Sequence, residues 1–152
     1  MLSSIRQLPN PMRSLLPPPP LLPAQPVGVA QSNRGIVTQL AEPRWSNVEG
    51  GRDAGPGLRF LVLTAIVDNQ STQAIAHDLS NWTVIDGAGM IHDPERFRST
   101  GWLTSGRIDA GQRVQGTLAF VVPQGDPAQQ IRFSPPAMRA VLRWDAVAPS
   151  AG

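Results

Sequence analysis

The sequence predicts an all-β sandwich of about seven strands, and three observations carry that prediction. Short apolar runs alternate with period two, clusters of Gly, Pro and Asp separate them, and little of the chain keeps a helical period. The clearest run is Asp109–Pro123, D-A-G-Q-R-V-Q-G-T-L-A-F-V-V-P. A turn signal at Asp109 and Gly111 opens it, and Pro123, which has no N–H for a sheet ladder, closes it. Val114, Leu118, Phe120 and Val122 fall on one face; Arg113, Gln115, Thr117, Ala119 and Val121 fall on the other. Such a strand sets one face on a core, and the remaining runs read as its packing partners.

In chain order, residues 1–34 stand apart as a Pro-rich arm or a degenerate export signal, residues 35–147 as the sandwich, and residues 148–152 as a disordered tail. Eight of the sixteen prolines fall within residues 1–30, including Pro17–Pro20, and no acidic residue does. Tandem proline favours an extended polyproline helix and forbids an α-helix, which places this arm outside the folded core as a disordered, semi-rigid segment. The competing reading is export. Arg6 and Arg13 would form its basic start, Leu15–Ala24 its apolar stretch and Gly28-Val29-Ala30 its cleavage site, giving a mature start near Gln31. Four consecutive prolines count against it, and Met1 and Met12 are both candidate starts. No apolar run reaches the roughly 18 residues of a transmembrane helix.

Gly35–Trp45 alternates Ile36, Thr38 and Leu40 with Val37, Gln39 and Ala41, and reads as an edge-type first strand. Asn47–Gly57 is a Gly-rich charged loop; no helix and no Lys-Ser/Thr follow it, so it is no phosphate loop. Leu58–Asn69 is apolar on both faces, Leu61, Leu63, Ala65 and Val67 against Phe60, Val62 and Ile66, which predicts a central strand. Asn81–Asp86 pairs with Met90–His92 through the turn Asp86-Gly87-Ala88-Gly89. Asp93–Gly106 has no period and forms a long loop, the place where small β scaffolds carry binding. Gln124–Gln129 is a turn, Ile131–Phe133 a short strand, Pro135-Pro136 a break and Arg139–Val147 the closing strand.

Composition excludes several functions. Of 152 residues, all thirteen basic ones are Arg, and the net charge is only +2. The isoelectric point of 10.9 therefore reflects the lack of groups titrating between neutrality and high pH. No Lys/Arg cluster supplies a nucleic-acid footprint. The absence of Cys removes disulfides, thiolate metal sites and Cys nucleophiles.

The order of motifs resembles a known family. V-D-N-Q (Val67–Gln70), then W-T-V-I-D-G-x-G (Trp82–Gly89), then D-A-G-Q-x-V-x-G-x-L-A-F-V-V-P is similar to a bacterial secreted immunoglobulin-like domain of unknown function. That domain's fold is similar to a small mycobacterial secreted antigen. Gly111, Gly116, Phe120, Val122 and Pro123 match the family's last motif, and the resemblance spans about residues 35–147. It implies an immunoglobulin-like β-sandwich and an extracytoplasmic location, and it supplies no catalytic residues to carry over. The lipobox Cys that accompanies many members is missing here.

Chemistry-bearing residues are few. His77-Asp78 and His92-Asp93 invite a metal or acid–base reading, but adjacent strand residues point to opposite faces and neither pair can chelate as a unit. The alternative is solvated turn residues, so no metal, cofactor or catalytic residue is expected. Asn69-Gln70-Ser71 and Asn81-Trp82-Thr83 match the glycosylation pattern. Trp82 and Trp144 fit core positions, and Trp45 lies at a strand end. Trp102, with Arg96, Phe97 and Arg98 upstream, is the candidate ligand- or partner-binding group; the alternative is that it folds back to plug the open end of the sandwich. The expected function is a non-catalytic module binding a protein or cell-envelope partner, with no nucleic acid. A carbohydrate-binding use of Trp102 with Arg96 or Arg98, a hydrolase built on the histidines, a structural spacer and a cytoplasmic location are the alternatives.

Overall fold

The computed structural model describes residues 18–125 and 130–145. The strands in order are β1 (Gln31–Asn33), β2 (Ile36–Ser46), β3 (Val48–Glu49), β4 (Arg52–Asp53), β5 (Leu58–Asn69) and β6 (Ile75–His77). They continue with β7 (Trp82–Ile85), β8 (Ile91–His92), β9 (Gly106–Ile108), β10 (Arg113–Pro123), β11 (Gln130–Phe133) and β12 (Leu142–Asp145). Two four-stranded sheets, ordered β1-β2-β5-β10 and β12-β11-β7-β8, form the sandwich; β3-β4 and β6-β9 are separate two-stranded ribbons. The fold is thus the expected all-β sandwich. The Arg6 and Arg13 start, Met1, Met12 and the tail after Asp145 lie outside the described residues, as does most of the Gln124–Gln129 turn.

The sequence alternation sets the layers. Leu61, Leu63, Ala65 and Val67 of β5 and Leu118, Phe120 and Val122 of β10 face the second sheet. There they meet Trp82, Val84, Ile131, Phe133, Leu142 and Trp144, with Trp82 stacked on Phe133 at a centroid distance of 4.0 Å. Phe60, Val62 and Ala119 point the other way and nucleate a small second cluster on the outer face of the first sheet. This is why β5 is apolar on both sides.

Gly35–Trp45 is not at the edge. Arg34 and Gly35 have φ of 52° and 79°, the two positive values of a tight primed hairpin turn, and they fold Gln31–Asn33 back onto Ile36–Thr38. β2 is therefore an interior strand, paired along its length with β5.

The Pro-rich segment also departs from its expectation where it is described. Leu22 N–H donates to Val141 O at 2.9 Å, Gln25 N–H to Arg143 O at 3.1 Å and Gly28 N–H to Leu40 O at 2.7 Å. In return its carbonyls accept: Pro20 O from Val141 N–H, Gln25 O from Asp145 N–H and Val29 O from the Trp144 indole. Leu22 and Val27 pack on the main core. The donors recur every third residue, the spacing of a polyproline helix, and the interleaved Pro20, Pro23 and Pro26 have no N–H to satisfy. This strap runs parallel to β12 and then crosses to β2, closing one side of the sandwich.

Candidate functional site

The other side is closed by residues 93–105. They leave β8 and run along the free edge of β10: Glu95 N–H donates to Ala119 O at 2.8 Å, Leu103 N–H to Thr117 O and Thr117 N–H to Gly101 O, both at 2.9 Å. The segment straddles that edge. Leu103 turns inward and is 3% exposed in the main core, while Trp102 turns outward to the small cluster around Phe60 and Val62. Gly116 permits the crossing, because a Cβ there would sit 2.5 Å from Leu103 N and 2.6 Å from its Cα. A motif glycine thus has a steric cause.

On the outer face the aromatic rings form a stack. Phe97 lies on Trp102 with centroids 3.9 Å apart and planes 16° apart, and the Arg52 guanidinium caps the far side of Phe97 at 4.2 Å. Arg52 is held in turn by Arg96 O at 3.0 Å and by Glu95 at 3.4 Å. The β3–β4 ribbon that carries Arg52 approaches closely at Gly50, where a Cβ would lie 2.4 Å from the Phe97 ring. The Trp102 indole N–H donates to Ser99 Oγ at 2.9 Å. Arg96 and Arg98, on the same segment, are exposed. So the four sequence-predicted residues lie on one segment, with Phe97 and Trp102 in direct contact. Trp102 folds back, but onto the face of a sheet rather than into the open end. Arg52 was not legible as a member, because nothing in its Gly-rich loop shows that the loop reaches residue 97.

The histidines are built differently from solvated turn residues. His77 is 3% exposed on β6. Trp82 Nε1–H donates to its Nε2 at 3.0 Å, and its Nδ1 lies 3.0 Å from Thr104 O. An indole N–H only donates and a carbonyl only accepts, so His77 is the neutral Nδ1–H tautomer with both nitrogens used. Burial pushes its pKa below the ordinary histidine value, against smaller upward effects of the Thr104 carbonyl and Asp78. Asp78, facing outward as strand alternation requires, caps the following 3₁₀ turn through Ser80 N–H.

His92 Nε2 lies 2.8 Å from Asp86 Oδ2, whose other oxygen accepts from the N–H groups of Ala88 and Met90. The His92 bond first, then the Met90 and Ala88 amides, hold the Asp86 carboxyl below its usual range. The two histidines line different cavities, His77 one with Ile75 and Arg107, His92 one with Leu58 and Val121. Among the described residues, no group of three His, Cys, Asp or Glu side chains could hold a metal. Asn69 is fully buried, its amide spent on Gln73 O, Ile108 O and Ser71, so that glycosylation match is structural; the half-buried Asn81 accepts through its side-chain oxygen from Asp78 N–H and closes a capping box. No described helix is long and apolar enough to cross a membrane.

A family model described as "Domain of unknown function (DUF4352)" matches residues 37–141, and the chain belongs to that family. No curated protein matches it in sequence. Among solved structures it is similar to a candidate lipoprotein of Bacillus subtilis, with a TM-score of 0.67 and 14% identity over 80% of this chain and 39% of that one. The chain thus spans well under half of that lipoprotein's length. It is also similar to the YjhA protein of Bacillus subtilis, TM-score 0.64, 13% identity, 81% of this chain and 99% of that one. The secreted protein MPT63 of Mycobacterium tuberculosis gives a TM-score of 0.61 and 14% identity over 82% of this chain and 97% of that one. At these identities the likeness is one of fold.

Proposed function

We propose that this DUF4352 domain is a non-catalytic recognition module that works outside the cytoplasm and engages a protein or cell-envelope partner through Asp93–Gly106. The observation that carries the reading is the Arg52–Phe97–Trp102 stack, which fixes an otherwise irregular segment on the sheet, with Arg96 and Arg98 exposed on that same segment. An immobilised aromatic flanked by guanidinium groups is the composition of an interface anchor. The extracytoplasmic location is supported by the secreted and lipoprotein descriptions of the structural relatives. The folded unit in this reading begins at Pro20 and includes the strap.

A carbohydrate platform at Trp102 has less support, since Phe97 covers one indole face and Ser99 takes the N–H. A hydrolase also has less, since His77 has no free nitrogen. The test is capture from solubilised envelope fractions by the wild-type domain, by Trp102→Ala and by a double Arg96→Ala, Arg98→Ala variant. A specific partner lost by both variants is expected. Equal recovery by all three would sink the assignment of this segment and favour a structural spacer, and a folded domain that lights a glycan array would favour the carbohydrate alternative.

A further inference from the structure

At the tip of the β7–β8 hairpin, Met90 and Ile91 are 62% and 66% exposed, more than any other large apolar residue described. Local geometry does not leave them loose. The Asp86 carboxylate accepts from Met90 N–H, Asp86 N–H donates to Met90 O at 3.0 Å, and His92 clamps the same carboxylate from the next strand. The turn therefore presents two unsheltered apolar side chains in a fixed position. Beside them opens a cavity of about 360 Å³ lined by Leu58, Ile91, His92, Asp93, Glu95 and Val121. Its walls are apolar at Leu58, Ile91 and Val121, and its rim carries two carboxylates. Asp93 is exposed with no ion pair among the described residues, and Glu95 shares only the long 3.4 Å contact with Arg52.

We infer that this hairpin tip and cavity form a second docking surface, for a partner peptide carrying a branched apolar side chain next to a Lys or Arg. The apolar group enters between Leu58, Ile91 and Val121 while Met90 covers it, and the cation meets Asp93 and Glu95. Charge chooses the occupant. An acidic peptide would set like charges together on the rim, and an uncharged apolar one would leave Asp93 unmatched. The surface adjoins the Trp102 stack through Glu95, which also meets Arg52, but its apolar walls, Leu58, Ile91 and Val121, lie outside the stack, and binding there does not require Trp102.

The test uses the full chain labelled with ¹³C at its four methionine methyls. It is titrated with three synthetic nonapeptides whose centres read Ile-Lys, Ile-Glu and Ser-Lys in a Gly/Ser background. The Met90 methyl should shift saturably with the first peptide only, and the Met138 methyl, buried in the core, should stay still. Met90→Ser with Ile91→Ser, which removes the methyl probe and is therefore read by fluorescence anisotropy of a labelled Ile-Lys peptide, should weaken binding by about tenfold or more, as loss of an apolar anchor does. Asp93→Asn with Glu95→Gln should weaken it severalfold and flatten its salt dependence. Trp102→Ala should leave the titration unchanged. No saturable shift, equal binding of the Ile-Glu peptide, or a Met90 shift that follows protein concentration without peptide would each overturn the proposal. The last outcome would assign the surface to a second copy of this chain. All substituted positions are exposed or half-buried, and near-ultraviolet circular dichroism confirms the fold of each variant.

Discussion

Along one side of the sandwich Pro20–Gln31 passes from β12 to β2; along the other, residues 93–105 pass from β8 to β10. Both segments seal a sheet edge that would otherwise offer unpaired amides to another chain. The strap does so with main-chain bonds at every third residue and two apolar side chains turned inward, and Arg143 is the charged side chain bonded to it, through Leu22 O at 2.7 Å. The loop makes fewer main-chain bonds and relies on side chains: Leu103 inward, the aromatic stack outward, and His77 anchoring it at Thr104. Groups able to bind or titrate therefore gather at the seam where regular backbone pairing is sparse.

That contrast can be broken most severely at the strap. A chain beginning at Gln31 loses Leu22 and Val27 from the core and leaves the Trp144 indole and the β12 amides unpaired. We expect a loss on the order of 4 kcal/mol relative to a chain beginning at Pro18, read by urea unfolding. Intact mass of the native protein should accordingly place any processed terminus at or before Pro20; a terminus at Gln31 would contradict an integral strap. On the loop side, Leu103→Ala should cost about 3 kcal/mol as a core truncation. Gly116→Ala should cost about 2 kcal/mol, because the added methyl meets backbone rather than a movable side chain. Hydrogen exchange should then accelerate at Leu103 and Thr117 while Leu22 and Gln25 stay protected.

Acid sharpens the comparison further. His77 has its folded pKa below the unfolded value of about 6.5, so its stabilising effect is full above that pH and is lost as pH falls toward the folded pKa. The added proton would set Nε2–H against the Trp82 indole N–H. Asp86, also lowered, loses its contribution at more acidic pH still, below about 4. The His77 network holds the loop seam at Thr104, so protection factors of the amides flanking Thr104, corrected for the intrinsic pH dependence of exchange, should fall as pH drops below about 6.5 while those of the strap do not follow. His77→Phe should remove the first phase. The smallest effect is expected from Arg52→Ala, about 0.5–1 kcal/mol for an exposed guanidinium over a ring, again by urea unfolding.

The central strands were legible because burial on one or both faces leaves a period-two record: Leu61–Val67 and Leu118–Val122 are where the alternation put them. Trp82 and Trp144 were legible for the same reason. The strap was not. Proline density usually reports chain outside a core, and what docks this one is a register of N–H groups at Leu22, Gln25 and Gly28 that no hydrophobic pattern records. The interior place of β2 was hidden because Gln31–Asn33 is too short to show a period. At the candidate site, Arg96, Phe97, Arg98 and Trp102 stood out by residue type, whereas Arg52 and Glu95 enter through tertiary contact alone. The burial of His77 was likewise invisible, since a lone histidine reads the same in a turn and in a core.

The parallel course of the strap and β12 has a mechanical consequence. In a parallel pair the upstream end of one member and the downstream end of the other lie at opposite ends of the ladder, here Pro20 and Asp145. Tension applied between those two points stretches the ladder along its own axis. The bonds at Leu22, Gln25, Val141 and Asp145 then share the load and must rupture together, instead of unzipping one after another. Pulled from its two ends, the domain resists at the segment whose composition looks least like structure.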